Sequence, residues 1–428
     1  MAEKKKVLVF PAGTEIAFEI HQALRRSKFV QLYGATSVPC HAEFVFERCY
    51  EGLPYVNEPG LIDALNRIID ENGIDYLYLA HDSALLALTR AQAQLHCAVV
   101  SSPLETVEVC RDKNKTYAFL AGADYLPRSY QSAAEVPAYP VFIKPAVGQG
   151  SQGARRIDSR KALDEALDDG TDYAICEYLP GAEFTVDCFT DRHGALRLVS
   201  PRSRERIRTG IAVRSRPFAA DERVREIAED LNRRLSFNGA WFFQLKENGA
   251  GDYRLMEAAP RIAGTMGATR NLGANLPLLT LYNHWGCDVE LVMNDNAELL
   301  DRAFISRFET DLSYTKVYVD FDDTLIVDGQ VNTELLAFLY QARNQGKKLY
   351  LLSRHDRELA PDLERWAISP ALFEEIRRLA PGEEKADFIL PDSIFIDDSF
   401  AERKRVKERC GIPVFDLDMV ESLLDWRI

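Results

Sequence analysis

The chain has 428 residues, a formal net charge of −14 and 46% hydrophobic residues, which predicts a soluble protein of about two to four domains. The negative charge argues against nucleic acid as the main partner, because binding a phosphate backbone needs a cationic face. The sequence contains no run of about 18 apolar residues, so it predicts no membrane span. The eight cysteines form no CxxC pair, so we expect neither a disulfide framework nor a zinc site, and we expect a reducing, cytoplasmic compartment.

The first part of the chain alternates strand and helix patterns. An apolar run at 7–10 precedes a helical pattern at 15–26, and a strand at 74–80 follows the helix stop at Asn72-Gly73. This alternation predicts a parallel sheet, whose ligands lie beyond the carboxyl ends of its strands. His81 and Asp82 follow such a strand and are candidate substrate contacts. The alternative is that Asp82 or Ser83 caps the next helix and that the histidine is structural.

A glycine-rich loop follows the strand at 141–145, in the sequence VFIKPAVGQGSQG. Glycines allow the backbone to approach a ligand closely, and their amides can point at phosphate oxygens. Lys144 adds a positive charge at the end of the strand. The spacing is neither GxxxxGK[ST] nor GxGxxG, so these residues alone leave an exposed hairpin as an equal alternative.

Further motifs stand around this loop in a recognisable order: CRDKNKTYAFL upstream, then ICEYLPGAEF (175–184), RERIRTG (204–210), WFFQLKENG (241–249) and LMEAAPRIAGT (255–265). Together they resemble the ATP-grasp superfamily, which includes biotin carboxylase, carbamoyl phosphate synthetase and D-alanine–D-alanine ligase. The resemblance implies a parallel-sheet pre-ATP-grasp domain at 1–105 and an α+β ATP-grasp domain at 106–305. It also implies ATP as a substrate and Mg²⁺, or Mn²⁺ in its place, as the metal.

Carried over position by position, the resemblance implies a set of ATP-binding residues: Lys113, Lys144, Gly148, Gly150, Ser151, Glu177, Tyr178, Leu179 and Glu183. Gln244 and Glu257 lie on consecutive strands joined by a turn, where they can face one another and reach a common Mg²⁺. Ala259 stands where the family commonly has an asparagine ligand, which puts a tightly held second magnesium in doubt. Arg261 is implied as the catalytic residue that faces the reacting phosphoryl group, and Arg206 and Arg208 as contacts for an anionic substrate or the triphosphate.

The chemistry that the resemblance implies has two steps. A substrate carboxylate attacks the γ-phosphate of ATP to give an acyl phosphate, and an amine or related nucleophile then displaces phosphate. Concentrated positive charge is what such phosphoryl transfer requires. The implied partners are therefore a small-molecule carboxylate and amine, and a homodimer is one oligomeric state found among relatives.

A second group of motifs lies in the last part of the chain. Four motifs follow one another in order: the strand KVYVDFDDTLI (316–326), the strand LYLLS that ends at Ser353, the residue Lys385, and the strand IFIDDSFAE (394–402). They resemble the four motifs of the haloacid dehalogenase (HAD) superfamily. The resemblance implies an α/β, Rossmann-like domain at 313–428, with little room for a cap domain.

Four acidic groups at strand ends would repel one another unless a divalent cation lay among them. The HAD resemblance implies Asp320 as the nucleophile and Asp322 as the general acid and base. It implies Mg²⁺ ligands from Asp320, Asp322 (through its backbone carbonyl), Asp397 and Asp398, with Ser353 and Lys385 binding the phosphoryl oxygens of a phosphorylated substrate. A degenerate domain kept for structure is the alternative.

Three functional hypotheses follow. The first is a bifunctional enzyme, an ATP-grasp ligase fused to a HAD phosphatase that acts on a successive intermediate of one pathway. The second keeps the ligase and gives the HAD-like region a structural role. The third is a nucleotide-binding regulator without turnover, for which Ala259 is the main support.

Overall fold

A computed structural model describes residues 4–150, 152–294 and 299–427. The chain divides into two compact units, Met1–Phe304 and Ile305–Ile428, and each unit has its own hydrophobic core. Across the described ranges, no helix has both the length and the apolar character needed to cross a membrane. The predicted α/β architecture with parallel sheets is confirmed in both units.

The first unit opens with alternating strands and helices: β1 (Lys5–Phe10), α1 (Glu15–Leu24), β2 (Val30–Ala35), β3 (Cys49–Tyr50), α2 (Leu61–Asn72), β4 (Tyr76–Leu79), α3 (Asp82–Arg90) and β5 (Ala98–Val100). The strands form a parallel sheet in the order β3-β2-β1-β4-β5. The residues Val7, Leu8, Val9 and Phe10 of β1 are fully buried, as expected for a central strand covered on both faces. Thr14 caps α1 by accepting the Ala17 N–H, and α2 ends at Gly73, whose positive φ suits a helix C-terminus.

The next elements are α4 (Leu104–Arg111), α5 (Lys113–Phe119), β6 (Ser129–Tyr130), β7 (Val141–Pro145), β8 (Arg155–Ile157), α6 (Arg160–Leu167) and β9 (Tyr173–Glu177). The four strands form an antiparallel sheet in the order β6-β9-β7-β8. The glycine-rich loop connects β7 to β8. Lys144 is therefore presented by the strand that leads directly into this loop.

The first unit continues with β10 (Glu183–Thr190), β11 (Leu196–Ser203), β12 (Arg206–Arg208), β13 (Ile211–Ser215), α7 (Glu222–Arg234), β14 (Gly239–Glu247), β15 (Tyr253–Ala259), α8 (Gly267–Asn271), α9 (Leu276–His284) and β16 (Leu300–Asp301). An antiparallel sheet has the order β11-β10-β14-β15, and a small one has the order β12-β13-β16. Trp241 on β14 is fully buried, and its indole N–H donates to Thr190 Oγ1, so this strand is fixed in register against β10.

The second unit contains β17 (Lys316–Val319), β18 (Ile326–Val327), β19 (Gln330–Val331), α10 (Thr333–Asn344), β20 (Lys348–Ser353), α11 (Leu359–Arg365), β21 (Glu375–Arg378), β22 (Ser393–Ile396), α12 (Phe400–Cys410) and β23 (Val414–Phe415). Its parallel sheet has the order β21-β20-β17-β22-β23. The carboxyl ends of β17, β20 and β22 lie side by side at one edge. The residues that follow these three strands therefore meet at that edge.

Candidate active sites

A cleft in the first unit lies between the sheet β6-β9-β7-β8 and the sheet β11-β10-β14-β15. The glycine-rich loop lines it, and so do residues from α5, β7, β9, β10, β14 and β15. The sequence-predicted residues that line it are Lys113, Lys144, Gly148, Gly150, Glu177, Tyr178, Leu179, Glu183, Gln244 and Glu257. Ser151, also predicted for ATP binding, lies outside the described residues. One cleft thus brings together residues from five separate sequence motifs.

Lys144 is the most buried cation of the cleft, with 6% of its surface exposed. Its Nζ donates to Met256 O and to Tyr117 Oη, each at 2.7 Å. Burial lowers the pKa of Lys144, and burial likewise lowers the pKa of Lys113, whose Nζ lies 3.4 Å from Gly148 O. Two ammonium groups held at one end of a cleft favour an anionic ligand there.

The segment that joins β9 to β10 lines another part of the cleft. The Arg128 backbone N–H donates to Glu177 Oε1 at 3.0 Å, and Leu179 is buried. Glu183 accepts from Lys246 Nζ at 2.7 Å and from Arg204 Nε at 3.3 Å. Its carboxylate is therefore fixed by two cations, and such charge-assisted hydrogen bonds hold a side chain in place.

Gln244 and Glu257 face each other as register partners on β14 and β15. Both side chains line the cleft, so one amide and one carboxylate group are available together. Such oxygen donors suit Mg²⁺, which usually keeps phosphate and water ligands as well. Ala259, further along β15, is buried and offers no side-chain ligand. The residues present therefore fit a magnesium ion that shares its coordination with a nucleotide.

Arg261, His81 and Asp82 lie together, outside the residues that line the cleft. Arg261 forms a two-point ion pair with Asp82, and its guanidinium lies 5.1 Å from the Phe242 ring centroid. Burial opposes ionisation of Asp82, but Arg261 outweighs it and lowers the pKa of this carboxyl group. His81 is itself the cap of α3, because its Nδ1 accepts the Ser83 N–H at 3.2 Å. The capping alternative is thus realised, but by the histidine and not by Asp82 or Ser83.

The glycine-rich loop contacts this group through Gln149. Gln149 Nε2 lies 2.7 Å from His81 Nε2, and Arg111 donates to Gly148 O at 3.1 Å and to Gln149 Oε1 at 3.3 Å. The loop is also closed against β12–β13, where Gly210 has φ +76° and a Cβ added there would lie 2.2 Å from the Gly150 carbonyl carbon. The two loops meet backbone to backbone, which requires glycine at position 210.

The arginine of the RERIRTG segment that lines the cleft is Arg204, not Arg206 or Arg208. Arg204 contacts Glu183, Thr185 Oγ1 and Gly210 O. Arg206 lies on exposed β12 and pairs with Asp301 at 2.8 Å, and Arg208 stacks over Phe304. Arg206 and Arg208 are exposed on β12 and are not among the residues that line the cleft, although Gly210 at the β12–β13 turn is. The sequence of this segment shows several arginines close together and does not indicate which of them lines the cleft.

The second unit has a separate acidic centre at the carboxyl edge of its sheet. Asp320, Asp397 and Asp398 each place a carboxylate oxygen within 4.8 Å of the others. Three hard oxygen donors at this spacing fit a divalent cation such as Mg²⁺. Burial raises the pKa of Asp320, and burial raises the pKa of Asp397 to about 6. Thr324 Oγ1 donates to Asp398 Oδ1 at 3.1 Å and so fixes the third carboxylate.

Lys385 bridges two of these carboxylates. Its Nζ lies 2.8 Å from Asp320 Oδ1 and 2.5 Å from Asp397 Oδ2. Burial would lower the pKa of Lys385, but the two carboxylates outweigh burial and raise it. Ser353, at the end of β20, is buried, and its Oγ has no hydrogen-bond partner among the described residues. Lys385 and Ser353 therefore both lie close to Asp320, the nucleophile candidate.

Asp322 does not join the acidic group through its carboxylate. Its Oδ2 lies 2.7 Å from His355 Nδ1, and His355 Nε2 lies 2.6 Å from Asp362 Oδ2. Asp323, the next residue, has φ +53°, and this tight turn directs the Asp322 side chain toward β20 and α11. Sequence reasoning missed His355 and Asp362, because neither belongs to one of the four motifs. The one signal in the sequence was their spacing of seven positions, which does not by itself indicate a contact.

Comparison with known proteins finds one family match, over part of the chain, and several structural likenesses. Residues 170–300 match the family model described as "ATP-grasp in the biosynthetic pathway with Ter operon". No curated protein matches the chain.

The solved structures that are similar to it include the following three. The biotin carboxylase domain of Hydrogenobacter thermophilus 2-oxoglutarate carboxylase, in complex with MgADP, ADP and bicarbonate, is 15% identical over 69% of this chain and 72% of its own, with a TM-score of 0.57. L-amino acid ligase from Bacillus licheniformis is 20% identical over 66% and 74%, with a TM-score of 0.52. N5-carboxyaminoimidazole synthetase from Staphylococcus aureus is 12% identical over 68% and 80%, with a TM-score of 0.54. Together with the family match, these likenesses show that the chain carries the ATP-grasp fold.

Proposed function

We propose that the first unit is an ATP-dependent, ADP-forming ligase that joins a small-molecule carboxylate to an amine or related nucleophile through an acyl phosphate. The observation that carries this proposal is the cleft itself, where Lys113 and Lys144 lie with the register pair Gln244 and Glu257. A similar fold has been solved with MgADP, and another belongs to an L-amino acid ligase. The family description supports a role in a biosynthetic pathway.

In this proposal each residue has a role that follows from its position. Lys113 and Lys144 bind the phosphates, the segment 177–179 contacts the adenine edge, and Glu183 accepts hydrogen bonds from the ribose hydroxyls. Gln244 and Glu257 hold the magnesium ion. The roles of Arg261 at the reacting phosphoryl group, and of Asp82 and His81 at the acid substrate, come from the family resemblance, because these three residues lie together outside the residues that line the cleft.

We also propose that the second unit is a HAD-type phosphatase with a minimal cap. Asp320 attacks the phosphorus of a phosphate monoester, the bond to the leaving oxygen breaks, and a proton from Asp322 gives the free alcohol. Water then attacks the aspartyl-phosphate, loses its proton to Asp322 and releases phosphate from Asp320. Ser353 and Lys385 bind the phosphoryl oxygens. At either site, bound Mg²⁺ supplies positive charge that offsets the phosphoryl oxygens.

The support for this second activity is the meeting of Asp320, Ser353, Lys385, Asp397 and Asp398 at one sheet edge. A purely structural domain would have no need to bury Asp320, Asp397 and Lys385 together, because buried charges are costly unless paired. Fusion in one chain favours phosphatase and ligase acting on successive intermediates of one pathway.

Release of ADP and of inorganic phosphate by the intact protein tests both activities. The ligase assay uses Mg·ATP with panels of amino acids, hydroxy acids and sugar acids, and the phosphatase assay uses phosphate monoesters without ATP. We expect E257Q to abolish substrate-dependent ADP release and to spare phosphatase activity, and D320N to do the reverse. E229Q and D418N, at exposed positions, serve as matched controls. ADP release that survives E257Q would contradict the ligase assignment, and phosphate release that survives D320N would contradict the phosphatase assignment.

A further inference from the structure

The contact between Asp322 and His355 extends the phosphatase site beyond its sequence motifs. Asp322 Oδ2 lies 2.7 Å from His355 Nδ1, whereas the structure gives Asp322 Oδ1 no hydrogen-bond partner among the described residues. The Asp322 side chain is 48% exposed. One oxygen of this carboxyl group is therefore engaged inside the unit, and the other is free to face a substrate.

His355 is itself fixed on three sides. Its Nε2 lies 2.6 Å from Asp362 Oδ2, and its ring packs edge-on against Phe321 with 5.1 Å between centroids. Asp362, on α11, is further held by Arg357 at 3.1 Å. Only 9% of the His355 side chain is exposed. Both nitrogens of the His355 ring are engaged, and the ring also packs against Phe321. It therefore has little freedom to rotate.

We propose that His355, oriented by Asp362, is a positioning residue that holds Asp322 so that its Oδ1 meets the leaving-group oxygen of the phosphate ester. This role rests on the proposed phosphatase function. When the P–O bond to the leaving group breaks, the proton on Oδ1 passes to that oxygen, and in the second half-reaction Oδ1 takes a proton from the attacking water. His355 forms no bond to the substrate in either step. It determines which carboxyl oxygen faces the reaction and where that oxygen lies.

The leaving group separates this role from a structural one. An alkoxide needs a well-placed acid to leave, whereas a nitrophenolate leaves with little protonation. The experiment compares kcat/KM for benzyl phosphate and para-nitrophenyl phosphate in the intact protein. We expect H355F to lose about 10- to 100-fold with benzyl phosphate and less than about threefold with para-nitrophenyl phosphate. H355N, which keeps a hydrogen-bonding group, should recover part of the loss, and D362N should show the same selectivity to a smaller extent.

The same substitution at His96, which pairs with exposed Asp70 in the first unit, is the matched control and should change neither rate. An equal loss with both substrates in H355F and D362N would overturn the positioning role while leaving the phosphatase in place. Absence of Asp320-dependent hydrolysis of either ester by the parent protein would overturn the phosphatase and this role with it. If H355F does not fold, the comparison of H355N with D362N decides the question by the same ratio.

Discussion

Arg261 and Asp82 lie 179 positions apart in the chain and form a two-point ion pair, with Nε 2.7 Å from Oδ1 and Nη2 2.5 Å from Oδ2. The pair joins the residue that follows β15 to the first turn of α3. It therefore connects the parallel sheet at the start of the chain to the strand that carries Glu257. Both side chains are largely buried, with 13% and 16% exposed.

Removing one partner of this pair should destabilise the first unit. D82A leaves the Arg261 guanidinium buried without its carboxylate, and breaking a buried pair in this way costs about 3–5 kcal/mol. D164A, which breaks an exposed pair with Arg160 on α6, should cost only about 0.5 kcal/mol. Chemical denaturation of both variants measures the difference. Equal losses of unfolding free energy would show that burial of the Arg261 pair has no energetic weight.

Lys144 should contribute strongly to nucleotide affinity. Replacing it with methionine keeps most of the side-chain volume but removes the buried charge, and a charge-assisted hydrogen bond is worth about 1.5–3 kcal/mol. We therefore expect K144M to weaken Mg·ATP binding by about 10- to 100-fold in calorimetric titration. K161M changes an exposed lysine on α6, paired only with Glu165, and should bind as the parent does. Unchanged affinity in K144M would remove this lysine from the phosphate site.

The stability of the first unit should fall in mild acid because of His21. Burial lowers the pKa of His21 from 6.5 to about 4, and its Nδ1 has no hydrogen-bond partner among the residues that the structure describes. Below pH 6.5 His21 is protonated in the unfolded chain, whereas in the folded chain it stays neutral down to about pH 4. The free energy of unfolding therefore falls as the pH drops through this window. At about 1.4 kcal/mol per pKa unit, the loss approaches about 3 kcal/mol.

Denaturation curves of the parent protein and of H21Q between pH 7 and about pH 4 test this dependence. We expect the two stabilities to converge as the pH falls, because the variant has no group at position 21 to protonate. Curves that stay parallel across the window would assign the acid sensitivity to other groups.

Magnesium should stabilise the second unit even without substrate. An ion that binds only the folded state adds about 2.7 kcal/mol at 100 times its dissociation constant. Thermal unfolding in Mg²⁺ against EDTA should show a rise in Tm for the parent protein and for D418N. In D398N the rise should be strongly reduced, because one of the three converging carboxylates is lost. An equal rise in D398N would place the responsible ion elsewhere.

Local pattern predicted much of the arrangement. Three parts of it are short-range features of the sequence. They are the strand that carries Lys144 near its end, the two strands that place Gln244 opposite Glu257, and the strand ends that Asp320 and Asp397 follow. Each depends on a strand, a turn and a residue type within about a dozen positions, and such signals are the strongest that a single sequence offers.

The features that the sequence did not reveal depend on long-range packing. Arg204 lines the cleft and contacts Glu183 and Thr185 of β10. Tyr117 contacts Lys144 only because α5 packs against β9. His355 contacts Asp322 only because β20 lies next to β17 in the sheet. None of these neighbours is close in sequence, so no local pattern could identify them.

The backbone contact between Gly210 and Gly150 limits what residue position 210 can hold. Because neither residue has a side chain, the glycine-rich loop can rest directly on the β12–β13 turn, while Gly148 and Gln149 tie the same loop to Arg111 and His81. A single methyl group at position 210 would act as a wedge, since its carbon would need the space that the Gly150 carbonyl group fills. Alanine, the smallest substitution that the genetic code allows at that position, would thus force the two loops apart.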